Sequence, residues 1–503
     1  MFAAGKTSGS HPPDAFPIPS YVNLGAADRR DPSWANLPKG PPWSPFFQSL
    51  RYMWAPYQSI EANRRRYGNC FTIHPLCQAR MVVFSDPEAI REIFMADADL
   101  QGGEAAAWLI GPVLGWNSLV LLDGERYRRD RRLMMPTLHG ERLHLYARTI
   151  RDATDRALER WRIGRPISLH HELRAIVLDV FLRTIFSLEE AQLERLRDRQ
   201  GRILQMADRL TAGFIFLPPL RIDWGRFCPW GRFLRLRGEI AAILSDEIAR
   251  CRSETKTDRI DVLSLLAAAR DEDGNSLTEQ ELFDEMFTLL MAGIETTTTS
   301  LAWVFGHMLA RPDVLREVVA ERERVVGTGR VSAEHIGELR YLDAVMKESA
   351  RLTPATTDVA RVVKRPLRIG GIDLPAGAGV SAGIYLTHHR ADLWPDPERF
   401  DPERFIRARP SPYTYFPFGG GDRRCLGAAF STYVMKVVIT QLLSRLELRL
   451  APRYRMRPAF HAITISPSGG VPVIIDRRTN ARAGWGADLS DLSAVMPAKA
   501  GIQ

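Results

Sequence analysis

A single cysteine among four glycines is the residue in this sequence best placed to do chemistry. The stretch FGGGDRRCLG runs from Phe418 to Gly427, and a helical pattern follows it. Glycines let a backbone approach a flat ligand closely, and the amides at a helix start favour a thiolate. A thiolate at Cys425, with arginine nearby, would make a good axial ligand for haem iron. The alternative is a glycine-rich turn around an ordinary buried thiol.

A carboxylate and a hydroxyl stand side by side in the middle of a long predicted helix. The pattern predicts this helix over 279–310, opened by a capping box and stopped before a proline. Its centre reads AGIETTTTS, and glycine and β-branched threonine are poor helix formers whose hydroxyls can bond back to the preceding turn. We therefore expect a loosened turn in which Glu295 and Thr296 could deliver protons. A threonine-rich packing face is the alternative.

Two further features are weaker. Glu348 and Arg351 form an acid and base pair three residues apart on a predicted helix, a spacing common on solvated helix faces. A proline-punctuated segment, FDPERF, follows at 400–405 and contains Arg404. Neither feature predicts a function alone.

The remaining pattern predicts a mainly α fold with a smaller β-rich portion, an α+β class. Strand-like runs at 71–74 and 81–84 come before a long helical region, and a second strand-rich patch with a Gly-Gly hairpin turn lies at 367–380. We expect an extended arm over 1–40, one large domain over 41–475 and a disordered tail over 476–503.

Composition excludes several classes of protein. The 503 residues are 45% hydrophobic and 25% charged, as in folded soluble proteins. The net charge of +9 is spread along the chain, so no nucleic-acid partner is expected. The five cysteines form no CxxC pair, which argues against a disulfide framework or a structural zinc site and favours a cytoplasmic location. No signal peptide or uninterrupted apolar run is visible, so we expect no membrane anchor.

In their order and spacing the four features resemble the cytochrome P-450 superfamily of haem-thiolate monooxygenases, and the texture is similar to its soluble bacterial members. The resemblance covers 41–475 and implies a single fold with a long central helix over haem b. The family's loop pattern, F-x-x-G-x-R-x-C-x-G, is met at every fixed position. It implies that Cys425 is the proximal ligand of the haem iron.

The resemblance also implies roles for other residues near the haem. Arg423 and Arg361 would bind propionates, and Phe418 would pack beside the sulfur. In the segment 125–131, Tyr127 stands where the family usually has tryptophan. The full set implied to bind the cofactor is Cys425, Arg423, Phe418, Gly427, Arg361, Arg131 and Tyr127. For the segment 125–131 a solvated basic face remains the alternative.

The central helix and the charged pair acquire roles in the same way. The resemblance implies that Thr296 hydrogen-bonds bound dioxygen and, with Glu295 and water, relays protons to it. Glu348, Arg351 and Arg404 match the family's structural charge network, which braces the region behind the cysteine loop.

Substrate contacts in this family come from separate segments, which here include 102–117, 210–220 and 463–467. The pocket residues we expect are Ala292, Thr356, Thr357 and Ile465. The segments are rich in apolar residues, which predicts a lipophilic small molecule such as a fatty acid, alkane or terpenoid.

No flavin or dinucleotide fingerprint follows the cysteine loop, so electrons are expected from a separate ferredoxin or flavodoxin. Arg424 and its neighbours could form a basic docking face for such an acidic partner. Two other functions stay open: a peroxide-driven or isomerising haem-thiolate enzyme, and a non-catalytic haem-binding sensor.

Overall fold

The computed structural model describes residues 32–76, 78–206, 221, 223, 225, 228–253, 259–327 and 329–478, apart from the side chains of 32, 33 and 104–108. Most of the predicted arm, the expected substrate segment 210–220 and the tail from 479 onward lie outside the described residues. The tail was expected from 476, but the last strand continues to Arg478 because it pairs there with Leu446.

Helices make up most of the described chain. They are α1 (Pro45–Trp54), α2 (Pro56–Tyr67), α3 (Pro87–Met95), α4 (Gly103–Leu114), α5 (Gly124–Met134), α6 (Arg142–Leu158), α7 (Leu169–Ile185), α8 (Glu190–Met206), α9 (Pro229–Ser253), α10 (Val262–Ala268), α11 (Glu279–Leu309), α12 (Pro312–Val326), α13 (Ala333–Glu338), α14 (Arg340–Leu352), α15 (Ile384–His388), α16 (Glu403–Arg407) and α17 (Ala428–Arg445). Short 3₁₀ turns include Gly421–Arg423.

The strands form four small sheets. They are β1 (Cys70–Ile73), β2 (Met81–Phe84), β3 (Leu100–Gln101), β4 (Pro166–Ser168), β5 (Asp358–Val363), β6 (Leu367–Ile369), β7 (Ile372–Leu374), β8 (Gly379–Gly383), β9 (Leu446–Leu450), β10 (Pro458–His461), β11 (Thr464–Pro467) and β12 (Pro472–Arg478). The largest sheet has the order β1-β2-β8-β5-β3, with β2 and β8 parallel and its other pairs antiparallel. The others are β4-β12-β9, β10-β11 and β6-β7.

Local signals set several of these boundaries. The carboxylate of Asp86 accepts hydrogen bonds from the first amides of α3, with Pro87 at the first helical position. The predicted Gly370-Gly371 hairpin joins β6 to β7, and both glycines have positive φ, 54° and 77°, which a side chain would strain. The mainly α class with a smaller β portion is confirmed.

The central helix α11 positions the site. Its predicted capping box is present, because the Thr278 hydroxyl accepts from the Glu281 amide while the Glu281 carboxylate accepts from the Thr278 amide. Most of its side chains are buried, and it packs against α7, α14 and the hairpin β10-β11. Each face of this enclosed helix packs against a different neighbour. The angular position of a residue around the helix axis therefore determines which groups its side chain contacts.

Candidate active site

One cavity of about 2040 Å³ lies between α11 and the cysteine loop. Part of the wall comes from the apolar face of α11, where Leu289, Ala292 and Thr296 follow one another. Eleven of the residues singled out in the sequence line this cavity, namely Tyr127, Arg131, Ala292, Thr296, Thr356, Thr357, Arg361, Phe418, Arg423, Cys425 and Gly427. Glu295 and Ile465 are not among the lining residues.

The cysteine loop presents Cys425 to the cavity immediately before α17. The Cys425 amide donates to the Phe418 carbonyl at 2.9 Å, which closes the loop, and Gly419 and Gly421 adopt positive φ of 68° and 66°. Burial raises the pKa of the Cys425 thiol, although the backbone amides of Gly427 and Ala428 oppose this. These amides at the start of α17 favour the thiolate, as expected from the position of Cys425. A bound metal would deprotonate the thiol.

Three arginines and a tyrosine surround one end of the cavity. The Arg423 guanidinium lies 4.2 Å over the Tyr127 ring and forms an ion pair with Asp123. The Arg131 guanidinium lies 5.9 Å from the centroid of the same ring and donates to the Arg424 carbonyl at 2.8 Å. Tyr127 itself donates to the Asp422 carbonyl at 2.8 Å, so it stays in place as part of the wall.

Arg361 is a buried cation at the same end of the cavity. Its side chain is buried, and among the described residues it makes no ion pair, only a hydrogen bond to the Ala360 carbonyl. Burial, together with the nearby charge of Arg423, lowers its pKa to about 10. A buried guanidinium of this kind is stabilised by an anion. With Arg423 and Arg131 beside it, this end of the cavity fits the carboxylate groups of a haem, whose flat ring the glycine loop can approach.

The four consecutive threonines of α11 have different surroundings. Thr296 faces the cavity, and its hydroxyl donates to the Ala292 carbonyl at 2.7 Å. Thr298 bonds back to the helix in the same way, whereas Thr297 and Thr299 make hydrogen bonds to Ser431 and Thr464 on other elements. The predicted back-bonding is present, but the helix stays continuous. Thr296 is the only one of the four that is not fully buried.

Glu295 points away from the cavity into a cluster of basic side chains. Its carboxylate lies 3.5 Å from His170 Nε2, 3.4 Å from Arg174 Nε and 3.0 Å from His461 Nδ1. Burial alone would raise the pKa of Glu295, but the two histidines and Arg174 outweigh it and hold that pKa well below its ordinary value. Glu295 is therefore a buried anion beside α7 and β10. Its carboxylate does not line the cavity that the Thr296 hydroxyl faces.

Three of the four predicted pocket residues line the cavity, and the fourth, Ile465, does not. Thr357 hydrogen-bonds to the Tyr52 hydroxyl at 2.7 Å and, like Thr356 and Ala292, lines the cavity. Ile465 differs from the expectation, because its side chain is 1% exposed and packs in a cluster with Tyr57 and Tyr385. In this hairpin the preceding turn residues, Ala462 and Ile463, form the cavity wall. Strand alternation around a tight turn decides which of these neighbours points inward.

The charge network behind the cysteine loop has a fully buried pair, Glu348 and Arg351, with the partly exposed Arg404 at its edge. Arg351 makes two hydrogen bonds to Glu348, at 2.7 and 2.9 Å, and both side chains are fully buried. Arg404 approaches the same carboxylate at 3.3 Å, and the Asp401 amide donates to it at 2.8 Å. The network fixes α14 against the irregular segment before the loop. Its residues stabilise the fold and do not line the cavity.

Sequence reasoning missed the partners of the two key charges. Asp123, the partner of Arg423, is 300 residues away in the chain, and His461 is 166 residues from Glu295. Local spacing carries no signal for such contacts, because they depend on how whole elements pack. Glu285, which also lines the cavity from α11, was missed for a different reason: it sits in an ordinary helical pattern.

Among the described residues one helical stretch, Gly421–Arg445, is long and apolar enough to cross a membrane by length and composition, and 72% of its most apolar window is buried inside the fold.

Comparison with known proteins agrees with the fold. The family model for Cytochrome P450 matches residues 38–471. The chain is 36% identical over 440 residues to cytochrome P450 135B1 of Mycobacterium tuberculosis, covering 87% of this chain and 91% of that protein. It is 32% identical to cytochrome P450 138 of the same species, covering 92% and 99% of the two chains.

Solved structures match as well. The retinoic acid-bound cyanobacterial CYP120A1 superposes with a TM-score of 0.77 at 25% identity, over 88% of this chain and 99% of the other. Proteins of this family bind haem through a cysteine thiolate and use dioxygen as oxidant. The chain belongs to the cytochrome P450 family, and it is a haem-thiolate monooxygenase.

Proposed function

We propose that the enzyme inserts one atom of dioxygen into a lipophilic small molecule, such as a fatty acid, alkane or terpenoid, with Cys425 as the iron ligand. The observation that carries this proposal is that Cys425 and Thr296, on separate elements, line the same largely apolar cavity. The bound haem supplies the redox chemistry that activates dioxygen. The catalytic domain spans 41–475, and we expect a cytoplasmic protein.

The chain's own residues hold and orient the cofactor. Arg361, Arg423 and Arg131 would bind its propionates, while the Tyr127 ring contacts the guanidinium groups of Arg423 and Arg131. Phe418 packs beside the Cys425 sulfur, and Gly427 leaves room where α17 begins. This binding also neutralises Arg361, whose burial is otherwise uncompensated.

Thr296 is the proton-handling group at the cavity. Its hydroxyl donates to the Ala292 carbonyl and can accept a hydrogen bond from water; rotated away from that carbonyl, it would donate toward the reacting oxygen instead. Glu295 acts at a distance from the cavity: as a buried anion it orients His170 and His461, and protons reach Thr296 through water. Its role is positioning, since it lines no part of the cavity.

The lining of the cavity indicates the class of substrate, and the basic residues on the protein surface indicate the class of electron donor. Thr356, Thr357 and Ala292 contact the substrate together with apolar neighbours, and burial of a lipophilic molecule there displaces water. The structural relative with bound retinoic acid supports an apolar ligand of this kind. Electrons come from a separate ferredoxin or flavodoxin, attracted by exposed basic residues of the cysteine loop such as Arg424.

A carbon monoxide difference spectrum tests the iron ligand. The reduced protein with bound carbon monoxide should show a strongly red-shifted Soret band, and Cys425→Ala should abolish it because no thiolate remains. Cys70→Ala is the matched control, since Cys70 lies on β1 and should leave the band unchanged. A band that survives in Cys425→Ala, or its absence from the unmodified protein, would contradict the proposal.

A peroxide-driven enzyme is the second candidate, and the turning of Glu295 away from the cavity favours it. Thr296→Ala separates the two. With dioxygen and reductant, product formation should fall by about tenfold or more, because the group that delivers the proton is lost. With hydrogen peroxide the same variant should keep its rate. Equal loss under both conditions would point to a packing role for Thr296.

A further inference from the structure

His388, the last residue of α15, is a buried histidine that contacts the segment leading into the cysteine loop. Its Nε2 atom accepts a hydrogen bond from the Phe416 amide at 3.1 Å. The side chain of His388 lines no part of the cavity and takes part in none of the ion pairs of the charge network. The contact with Phe416 therefore gives His388 a different connection to the site.

The hydrogen bond from Phe416 anchors the start of the cysteine loop. A proline follows Phe416 and has no N–H group, so the Phe416 amide is the last backbone donor before the loop begins at Phe418. The Phe416 carbonyl accepts from the Gly419 amide at 2.9 Å. The Phe418 carbonyl accepts from the Cys425 amide at the same distance. The position of Cys425 therefore depends on where Phe416 is held.

The neighbours of His388 fix its imidazole in the orientation that this hydrogen bond needs. The ring stacks on Tyr415, with 5.2 Å between centroids and 22° between the planes. The rings of Trp394 and Phe416 pack edge-on against it. The Arg351 guanidinium donates to the His388 carbonyl at 2.8 Å, which connects the backbone of α15 to the charge network. An enclosed ring of this kind cannot turn away from the Phe416 amide without displacing its neighbours.

The imidazole of His388 accepts this hydrogen bond only in its neutral form, because both ring nitrogens of a protonated histidine are donors. Burial, followed by the nearby charge of Arg351, lowers the pKa of His388 well below its ordinary value. Nε2 therefore stays an acceptor at neutral pH. A side chain without an acceptor would leave the Phe416 amide buried and unpaired, which favours conformations in which the loop has moved.

We propose that His388 is a positioning residue for the haem ligand: by holding the Phe416 amide, it keeps the cysteine loop in the conformation in which Cys425 binds iron as a thiolate. His388 acts through Phe416 and touches neither the cofactor nor the reacting atoms. The inference rests on the proposed role of Cys425 as the iron ligand.

Two substitutions separate the hydrogen bond of His388 from the packing of its ring. His388→Phe keeps a ring and lacks the acceptor, whereas His388→Gln loses the ring and offers an amide oxygen in place of Nε2. The haem-loaded full chain is reduced and exposed to carbon monoxide, and the ratio of the red-shifted to the unshifted Soret band is measured. His388→Phe should lower this ratio by about tenfold or more, because the Phe416 amide loses its partner. His388→Gln should keep the ratio within about twofold, because the acceptor is restored.

The neighbouring His389 provides the matched control. It is also buried, its ring stacks on Tyr385, and its Nδ1 donates to the Tyr385 carbonyl at 2.8 Å. Among the described residues both of these contacts stay on α15. His389→Phe therefore removes a buried histidine and keeps a ring without releasing the Phe416 amide, and its band ratio should equal that of the unmodified chain.

The ratios in the His388 variants decide the proposal. A low ratio in His388→Phe with a full ratio in His388→Gln supports it. Equal ratios in the two variants, the reverse order, or an equal loss in His389→Phe overturns it, because the ring or the fold as a whole would then matter and not the acceptor. If circular dichroism shows that His388→Phe does not fold, His388→Gln decides alone: a full ratio supports the proposal and a low ratio overturns it.

The unmodified chain separates this inference from the proposed function. If it shows no red-shifted band, the role of Cys425 is contradicted and the inference falls with it. If the band is present in the unmodified chain and unchanged in His388→Phe, only the inference is contradicted.

Discussion

Two buried glutamates on the same helix, Glu285 and Glu295, have opposite electrostatic surroundings. They are ten residues apart on α11 and are 0% and 2% exposed. Glu295 lies within 3.5 Å of three basic side chains. Both carboxylates lack a hydrogen bond of normal geometry, but Glu285 makes no ion pair among the described residues and lies near the acidic side chain of Asp130. Ten residues on an α-helix rotate a side chain to a different face, which is why the two differ.

The difference appears in their protonation. Burial, followed by the charge of Asp130, raises the pKa of Glu285 well above its ordinary value, and the amide of Leu119 compensates only in part. Burial also raises the pKa of Asp130, to about 6. At Glu295 the same burial is outweighed by the basic partners, and the pKa falls. Burial therefore does not decide whether a carboxyl is charged; the partners on neighbouring elements do.

The largest change in the free energy of unfolding is expected from removing the Glu295 carboxylate. Glu295→Ala leaves Arg174 and two histidines buried without their anion, and the free energy of unfolding should fall by about 3 kcal/mol at pH 7. Urea unfolding of the haem-saturated protein measures this. Because the folded pKa of Glu295 is lowered, its stabilisation is present above the unfolded pKa and is lost as pH falls below about 4.5. The variant and the unmodified chain should therefore converge in acid.

A constant difference at every pH would show that the loss comes from packing and not from charge. Glu279→Gln is the matched control, because Glu279 is an exposed carboxylate at the start of the same helix. Its effect on stability should be small, within about 0.5 kcal/mol.

A smaller effect of the opposite sign is expected at Glu285. Glu285→Gln replaces an unpaired buried acid with a neutral side chain of the same shape, and should stabilise the fold by about 1 kcal/mol at pH 8. The folded pKa is raised, so the stability associated with Glu285 is full below about pH 4.5 and is lost as pH rises through the folded value. The gain from Gln should thus grow with pH in the same urea experiment. Destabilisation at pH 8 would mean that Glu285 has a partner when charged.

Much of the fold could be predicted from sequence because its signals are local. The helix over 279–310 was expected within one residue of α11, since a capping box and a following proline mark its ends. The Gly370-Gly371 turn was expected for the same reason. Boundaries were less certain where packing extends an element. One example is the last strand, β12, which continues to Arg478 although the tail was expected from 476.

In the site, too, features set by neighbouring residues were predicted and features set by the packing of distant elements were not. The spacing around Cys425 predicted a loop that faces a flat ligand, and the structure brings Cys425, Arg361 and Arg423 to one cavity. Ile465 was placed on the wrong side of its hairpin, because a two-residue change of position around a turn is invisible to composition. The partners of Glu295 could not be predicted, because His170 and His461 come from α7 and β10.

By itself the sequence determined the cysteine loop, the central helix and its acid and hydroxyl pair, because each depends on residues within a few positions of one another. Only the tertiary structure decided which of the four threonines reach the cavity, which of two buried glutamates carries a charge and which buried arginine has no carboxylate partner among the described residues. These are properties of the contacts between distant elements. The free energy of a buried charge is set by the groups packed around it, and the sequence lists those groups without saying where they meet.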